Sequence, residues 1–459
     1  MKIKIVFLLI IILFSAPVSQ GSEGLFSWDD LHGEFGGSGD TAVVLIHGYK
    51  PHVLSEEILR FTATRNWDDI AEALIDYPEL ASEIEIYSFL YLPYFVDIAD
   101  LAEKLAGELE KFREEKRETI IIAHSMGGII ARHYMNYLGG EEHVIGLFTL
   151  GTPHRGVFLP LEELDFSWSP VLEDMRGTNE LMERHGFPHM PGGDYLEKLN
   201  RDEKNLDKIY SFSGRFHAEE DRNFISYLGE VYYYLASGIQ VPGDGVACNF
   251  GSYLPGAQNF PPVDKGDHQE LFRHKEVVES VVFGVSSLIL DLDYRVEGRV
   301  IDKNGQGVSG VEITMGDRKS FTDSEGYYSF SHGVFGERIR PVPKEGEAFL
   351  PSYSSVTGRE EEIAFTRVEK QNVEGKADFL FTAATPEEGI LMAGNVMEQE
   401  YFYQVELGKD GKFILEDVVP GQYQFALLQK ERQAISFENI NINEENNKIE
   451  VSFFRPWID

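Results

Sequence analysis

Between Thr119 and Arg132 the sequence runs Thr-Ile-Ile-Ile-Ala-His-Ser-Met-Gly-Gly-Ile-Ile-Ala-Arg. The isoleucines and Ala123 form an apolar run of strand length, the pattern of a strand buried on both faces. After Ser125 the apolar residues continue at helical spacing, behind two glycines that let a helix start close against the strand. A serine at the apex of such a strand–turn–helix has its hydroxyl lifted above the end of the sheet by a strained backbone. Ala123 stands where the commoner form of this motif has glycine; its single methyl meets the same demand for small size. The plainer reading is a glycine-containing turn with an incidental serine, but the flanking strand and helix are the context that a nucleophile needs.

The rest of the chain supplies a sheet for that turn. Strands are expected at Ala42 to Ile46, Glu83 to Phe89, Thr119 to Ala123, Val144 to Leu150 and Lys208 to Ser213. Helical patterns lie between them, such as Val96 to Lys116 with Ile98, Leu101, Leu105 and Leu109 in register. Strands alternating with helices imply a parallel sheet covered on both faces. After Asp293 the pattern changes to short alternating strands broken by Asn304-Gly305, Asp323-Ser-Glu-Gly326, Lys409-Asp-Gly411 and Pro420-Gly421, so this portion is expected to be all β. The chain of 459 residues has room for about three domains. With 42% hydrophobic residues it can bury a sizeable core. The hinge is expected at Asp291 to Arg295.

The N-terminus and the charge bound the setting. Lys2 and Lys4 precede an apolar run from Ile5 to Phe14, followed by small and polar residues through Gly21. This order is that of a secretory leader, and the run is about half the roughly 20 residues needed to cross a bilayer. Residues 1–21 are therefore expected to be a signal peptide and the protein to be secreted, periplasmic or at the cell surface, with retention of the leader as an anchor left open. Lys and Arg number 41 against 77 Asp and Glu, a formal net charge of −36, which excludes nucleic-acid binding through a general electrostatic footprint. The single cysteine, Cys248, excludes an intrachain disulfide and any multi-thiolate metal site. His185 and His189 have the spacing of a metal pair, but Gly186 and Pro188 break the helix such a pair needs; no metal and no cofactor are expected.

A serine is a poor nucleophile without a base, and the base needs an acid to orient it. In the order Ser, acid, His, the candidates are Asp244 in Val241-Pro-Gly-Asp-Gly-Val-Ala and His268 in Lys265-Gly-Asp-His-Gln-Glu-Leu. His274 is an alternative base, and Asp264 and Asp267 are alternative acids. The oxyanion of an acyl-transfer intermediate requires two backbone N–H donors. Met126, directly after the serine, offers one. Tyr49, in the His47-Gly48-Tyr49 turn that ends the first strand, offers the other. His154 and Arg155 are read as shaping the rim of the site through packing or hydrogen bonds.

Taken together, Val44-Leu-Ile-His-Gly-Tyr, Ala123-His-Ser-Met-Gly-Gly, Gly151-Thr-Pro-His-Arg-Gly and Gly243-Asp-Gly-Val resemble the α/β-hydrolase lipases. The Gly-Thr-Pro-His segment points to the GPI inositol-deacylase-like and lecithin-cholesterol-acyltransferase-like branch. The resemblance covers about Thr41 to Leu290 and implies an α/β-hydrolase fold with a mostly parallel central sheet. It also implies hydrolysis of a carboxylic ester through an acyl-enzyme, with Ser125, Asp244 and His268 as triad and the Tyr49 and Met126 amides as oxyanion donors. In the tail, Val296-Glu-Gly-Arg-Val-Ile-Asp-Lys-Asn-Gly and Thr322-Asp-Ser-Glu-Gly-Tyr-Tyr-Ser-Phe, with a closing Ala377-Asp-Phe-Leu-Phe, resemble carboxypeptidase-regulatory-like, transthyretin-type sandwiches. Lys409-Asp-Gly-Lys-Phe-Ile-Leu and Val419-Pro-Gly-Gln-Tyr-Gln-Phe repeat the second half of that pattern.

The expected division is thus a leader at 1–21, a catalytic domain at 22–292, a sandwich at 293–384 and a second, divergent one at 385–459. An insertion at about 156–240 carries Phe158, Leu159, Leu161, Phe166, Trp168, Met175 and Met182, then a second apolar stretch from Phe224 to Ile239. It reads equally as a lid over an acyl site or as helices completing the core. The expected partner is a lipid or acyl-ester substrate, with cell-surface or carbohydrate contact through the sandwiches. Two other activities stay open: acyl transfer to an alcohol by the same triad, and a non-catalytic adhesion protein.

Overall fold

Apolar runs such as Ala42 to Ile46 fit only where both faces of a strand are covered. Every residue of β2 (Thr41–Ile46) and β4 (Thr119–His124) is buried. The computed structural model describes residues 23–33, 37, 39–49, 65–93, 96–157, 170–184, 193–215, 243–290, 292, 294–358, 362–379, 389–395, 401–429, 432–436, 440–443 and 445–454. Its first sheet has the order β1 (Gly24–Ser27), β3 (Ile84–Leu90), β2, β4, β5 (Val144–Leu150), β6 (Ile209–Phe212), β8 (Gln258–Asn259). Strand β1 runs antiparallel to β3; from β3 to β8 all neighbours are parallel. Beyond the edge, β7 (Gly214–Arg215) pairs in parallel with β9 (Val263–Asp264). This is the mostly parallel sheet of an α/β-hydrolase fold.

The period-2 alternation of a strand divides the core between two layers. Ala42, Val44, Ile46, Ile121 and Ala123 pack with α2 (Ile98–Glu114) and α3 (Met126–Tyr137). Val43, Leu45, Ile120 and Ile122 pack on the other face with α1 (Asp68–Ile75) and α5 (Lys275–Leu290). Helix α2 forms within the expected 96–116. It buries Ile98, Leu101, Leu105, Leu109 and Phe112, and the Asp97 carboxylate caps its start by accepting the Asp100 N–H at 2.8 Å. Lys111 and Arg113 sit in its last turn, where the helix dipole favours cations.

The tail is all β. Strands β10 (Tyr294–Ile301), β13 (Tyr327–Gly333), β15 (Glu347–Leu350) and β17 (Ile363–Glu369) make one four-stranded sheet. β11 (Glu312–Met315), β12 (Arg318–Phe321), β14 (Arg338–Pro341) and β16 (Ser354–Ser355) make another. Val300, Ile313, Ile339 and Phe365 belong to the single core shared by the two sheets. A last sheet takes the order β20 (Phe402–Glu406), β19 (Ile390–Asn395), β22 (Gly421–Gln429), β23 (Arg432–Ser436), β25 (Lys448–Phe454), β18 (Gln371–Phe379), β21 (Lys412–Val418), with β24 (Ile440–Ile442) on β22. Its two ends meet: the Tyr403 hydroxyl of β20 donates to the Asp417 carbonyl at 3.3 Å and accepts from the Val419 N–H at 3.1 Å.

Strand pairing divides the two β units differently from the expectation of a boundary after 384. β18, which carries the Ala377-Asp-Phe segment expected to close the first sandwich, pairs with β21 and β25 of the second unit. The division therefore falls at Lys370, where the chain passes from β17 to β18 with no turn residue to signal it. The leader at 1–21 lies outside the described residues. So do Asp291 and Asp293 of the expected hinge, the stretch from Phe224 to Ile239, and Phe158, Leu159, Leu161, Phe166, Trp168 and the Met182 side chain of the insertion. Met175, with Val171, Leu172, Leu196 and Leu199 of the same insertion, is buried in the core layer of α2 and α3.

Candidate active site

Strand β4 ends at His124 and α3 begins at Met126, so Ser125 makes the whole turn. Its backbone is at φ 53°, ψ −127°, a conformation that L residues rarely hold. Three hydrogen bonds fix it there. The Ser125 N–H donates to the Leu150 carbonyl at 2.9 Å, and the Ser125 carbonyl accepts from the Thr152 hydroxyl at 2.9 Å and the Gly128 N–H at 3.0 Å. The glycines behind it are sterically required: a Cβ on Gly127 would stand 2.6 Å from the His47 carbonyl oxygen, and one on Gly128 2.1 Å from Thr152 Oγ1. Ala123 is fully buried, paired with Ile46 and Thr149 on its two sides.

The partners come from two loops far along the chain. His268 Nε2 lies 3.0 Å from Ser125 Oγ, and His268 Nδ1 lies 2.7 Å from Asp244 Oδ2. A carboxylate can only accept, so the proton is on Nδ1 and the Nε2 lone pair faces the serine hydroxyl. Asp244 is held by its other oxygen, which accepts the Ala247 N–H at 2.7 Å and the Val246 N–H at 3.0 Å. The two loops are tied to each other by His268 N–H donating to the Asp244 carbonyl at 2.8 Å. His124 contributes a further tie, its Nε2–H donating to the His268 carbonyl at 2.7 Å. All three groups are shielded from water, with Ser125 8%, His268 2% and Asp244 1% exposed, and burial strengthens each of these hydrogen bonds.

The turn after β2 runs directly over the serine. A Cβ on Gly48 would lie 2.7 Å from Ser125 Cβ and 2.9 Å from His124 Nδ1, so no larger residue fits. His47 is locked beneath it: Nδ1–H donates to the Gly48 carbonyl at 2.7 Å, Nε2 accepts the Tyr91 N–H at 3.3 Å, and the ring stacks on Tyr91 at 4.2 Å. The Tyr91 hydroxyl closes the arrangement on the His47 carbonyl at 2.6 Å. Tyr49, the expected second oxyanion donor, follows Gly48 in this turn. Met126, the expected first donor, opens α3, where the initial N–H groups have no partner inside the helix.

A family model described as the PGAP1-like alpha/beta domain matches residues 87–178, from β3 through the Ser125 turn and the Gly-Thr-Pro-His segment. The match spans part of the chain and agrees with the α/β-hydrolase fold already seen in the parallel sheet and the Ser125 turn. Solved structures similar to it include Bacillus licheniformis lipase BlEst2 in its mature form, at 18% identity over 54% of this chain and 92% of that one, with a TM-score of 0.37. The propeptide form of the same lipase aligns with 92% of this chain and 98% of its own at 13% identity and a TM-score of 0.38. Phospholipase PlaB from Legionella pneumophila aligns with 73% of this chain and 95% of its own at 13% identity and a TM-score of 0.31. Such low values say nothing about what the present chain acts on. No curated protein matches it.

The alternative candidates stand away from Ser125. His274 Nε2 pairs with the Asp264 carbonyl at 3.1 Å near the surface, and the Asp264 carboxylate faces Arg215 at 3.5 Å. Asp267 Oδ1 accepts the Gln269 N–H at 2.7 Å, a local turn. His185 and His189 lie outside the described residues, among which no group of side chains could hold a metal ion. Cys248 is buried and accepts the Gly251 N–H at 3.2 Å.

Behind the Ser125 turn is a buried polar layer built on the Gly151-Thr-Pro-His segment, in which Arg132 is the member that the sequence did not signal. Gly151, at φ 59°, lies against the Asp–His pair: a Cβ there would be 2.8 Å from Asp244 Oδ2 and 3.1 Å from His268 Nδ1. His154, three residues on, is fully buried between Arg132 Nη1 at 3.2 Å and Thr149 Oγ1 at 3.1 Å. Burial above all, then Arg132 and Arg155, hold its pKa well below the ordinary imidazole value, so the ring is neutral. Arg132 can only donate; the His154 proton is therefore on Nε2, toward Thr149.

Proposed function

We propose that the chain is a serine carboxylic-ester hydrolase, lipase- or esterase-like, acting on lipid or other acyl esters. The observation that carries this reading is the unbroken hydrogen-bonded series Ser125 Oγ, His268, Asp244 at the start of a helix. Ser125 Oγ attacks the ester carbonyl while His268 Nε2 takes its proton, and Asp244 stabilises the imidazolium without itself being protonated. The Met126 and Tyr49 amides receive the oxyanion. The imidazolium then protonates the departing alkoxide, leaving an acyl-serine. Water then attacks that acyl group as His268 Nε2 takes its proton, and the imidazolium returns this proton to Ser125 Oγ as the acid leaves. Support for a lipid or acyl-ester substrate comes from the resemblance of the Gly151-Thr-Pro-His segment to the lipase branch, a segment that the PGAP1-like match also spans. At a net charge of −36 the enzyme meets lipid through apolar surface, since an anionic head group would be repelled. The N-terminal leader pattern supports an exported enzyme.

An active-site-directed fluorophosphonate tests the reading. The wild type is expected to label at Ser125 and Ser125→Ala not to label; a folded wild type that stays unlabelled overturns the proposal and favours an adhesion role. Asp244→Asn and His268→Ala are expected to lower turnover by about 10⁴-fold with little change in folding. A series of p-nitrophenyl esters of increasing acyl length reports the substrate: rising kcat/KM with length means lipase, the reverse a small-ester esterase. Ester products formed in the presence of an added alcohol would show acyl transfer instead of hydrolysis.

A further inference from the structure

Arg132 is the one large charged side chain that α3 carries inward. It is fully buried and meets three acceptors on two segments: Nε donates to Glu203 Oε2 at 2.9 Å, Nη2 to Asn200 Oδ1 at 2.9 Å and Nη1 to His154 Nδ1 at 3.2 Å. Asn200 belongs to α4 (Asp194–Asp202) and Glu203 follows that helix directly, so both come from the insertion. Asn200 Nδ2 also donates to the His154 carbonyl at 3.0 Å. Arg132 and Asn200 thus grip the His154 ring and backbone from two sides.

What they grip is the turn that borders the reacting groups. Gly151 abuts Asp244 and His268, Thr152 holds the Ser125 carbonyl, and the His154 N–H closes the turn on the Thr152 carbonyl at 2.9 Å. Elsewhere His154 is anchored through Thr149, the residue paired with Ala123 two positions ahead of Ser125. A buried ion pair is weak grounds for a purely stabilising role, because apolar residues of the same volume often serve as well. A guanidinium fixed by two acceptors of the insertion, whose Nη1 joins Asn200 Nδ2 in holding His154, is better suited to keeping the geometry of that turn.

We propose that Arg132 is a positioning residue of the hydrolase: with Asn200 and Glu203 of the insertion it fixes the Gly151–His154 turn, and through that turn the alignment of Ser125 with His268 and Asp244. The proposal rests on the serine-hydrolase reading above. It makes the insertion part of the catalytic framework, coupled to the triad whatever covers the substrate.

The test compares wild type, Arg132→Lys and Asn200→Ala by melting, kcat and KM on a soluble p-nitrophenyl ester, fluorophosphonate labelling rate and the pH dependence of kcat/KM. Lysine keeps the charge opposite Glu203, but one ammonium on a flexible stem cannot reach all three acceptors. Arg132→Lys is expected to lose roughly ten- to a hundredfold in kcat and in labelling rate with KM within about twofold, since small misplacements of reacting groups cost that much. The acidic limb of its pH profile is expected to shift as the Asp244–His268 contact loosens. Asn200→Ala is expected to show the same pattern at smaller size. A folded Arg132→Lys with lower melting temperature but wild-type kcat, labelling rate and pH limb has lost only stability, and overturns the proposal. If Arg132→Lys does not fold, Asn200→Ala decides: kcat lowered at constant KM supports the proposal and wild-type kcat overturns it. Failure of the underlying reading is seen separately, as a wild type that does not label at Ser125, and takes this inference with it.

Discussion

A serine at φ 53° holds its conformation against the preference of every L residue, at a cost of about 1–3 kcal/mol. Glycine escapes that strain but carries more conformational entropy into the unfolded state, which returns about 0.5–1 kcal/mol of the gain. Ser125→Gly is therefore expected to raise unfolding stability by up to about 1–2 kcal/mol in urea titration while abolishing turnover; a stability loss would show that the turn is not strained. The same comparison explains what the sequence could reveal at this scale. Ser125, Asp244 and His268 are legible because a motif marks the first and chain order ranks the others. Arg132, His124 and Glu203 carry no local mark: each is defined by a partner distant in sequence, 71 positions away for Arg132 and Glu203 and 144 for His124 and His268. Nothing in the spacing around them distinguishes a buried donor from a surface one.

At the scale of elements, the insertion is fastened to α2 by a carboxylate. Asp174 Oδ2 accepts the Ile98 N–H at 2.8 Å, in the first turn of the helix. Burial raises the Asp174 pKa from 3.8 to about 6, assisted by Asp97, Glu173 and Asp100, while the Ile98 hydrogen bond opposes the shift. The folded state therefore binds the proton more tightly than the unfolded state, and this group's contribution to stability is complete below about pH 4 and is lost as pH rises through 6. Asp174→Asn keeps an oxygen for Ile98 and removes the ionisation. Its melting temperature is expected to exceed that of the wild type at pH 8 and to match it near pH 4; equal differences at both values would mean that the carboxylate is neutral or already solvated throughout. Elements were the most legible level of the fold, since uninterrupted runs such as 119–123 admit little but a buried strand. The exception, β18, lies where Glu369-Lys-Gln371 joins two strands without glycine, proline or asparagine, so the passage between β units leaves no compositional trace.

At the scale of the whole molecule, the first sandwich is part of the hydrolase core. Phe335 leaves the sandwich and is 3% exposed among Phe148, Tyr210, Phe260 and Phe283, with ring centroids 6.1, 5.4, 5.2 and 6.0 Å away. The backbone makes room for this contact: a Cβ on Gly284 of α5 would lie 2.5 Å from the Phe335 ring, and one on Gly358 would overlap Phe283. Ser355 of β16 adds a hydrogen bond from its hydroxyl to the Asn259 carbonyl at 3.3 Å, at the β8 edge of the hydrolase sheet. A cleft of about 1030 Å³ remains beside the contact, between Pro261 to Asp264 and β10. Sequence periodicity gave the sandwich its class but could not show this, because one phenylalanine in a loop reads as an ordinary exposed apolar residue. Deleting the ring would leave Phe148, Tyr210 and Phe260 around a void, at a cost of about 3–5 kcal/mol for a fully buried phenylalanine. Phe335→Ala is accordingly expected to lower the temperature at which ester turnover is irreversibly lost, although the residue lies outside the hydrolase domain. Phe335→Leu, which refills most of the volume, should recover much of the difference. Heat inactivation of Phe335→Ala at the wild-type temperature, with only a separate sandwich transition shifted in calorimetry, would mean that the sandwich is a passenger on the hydrolase.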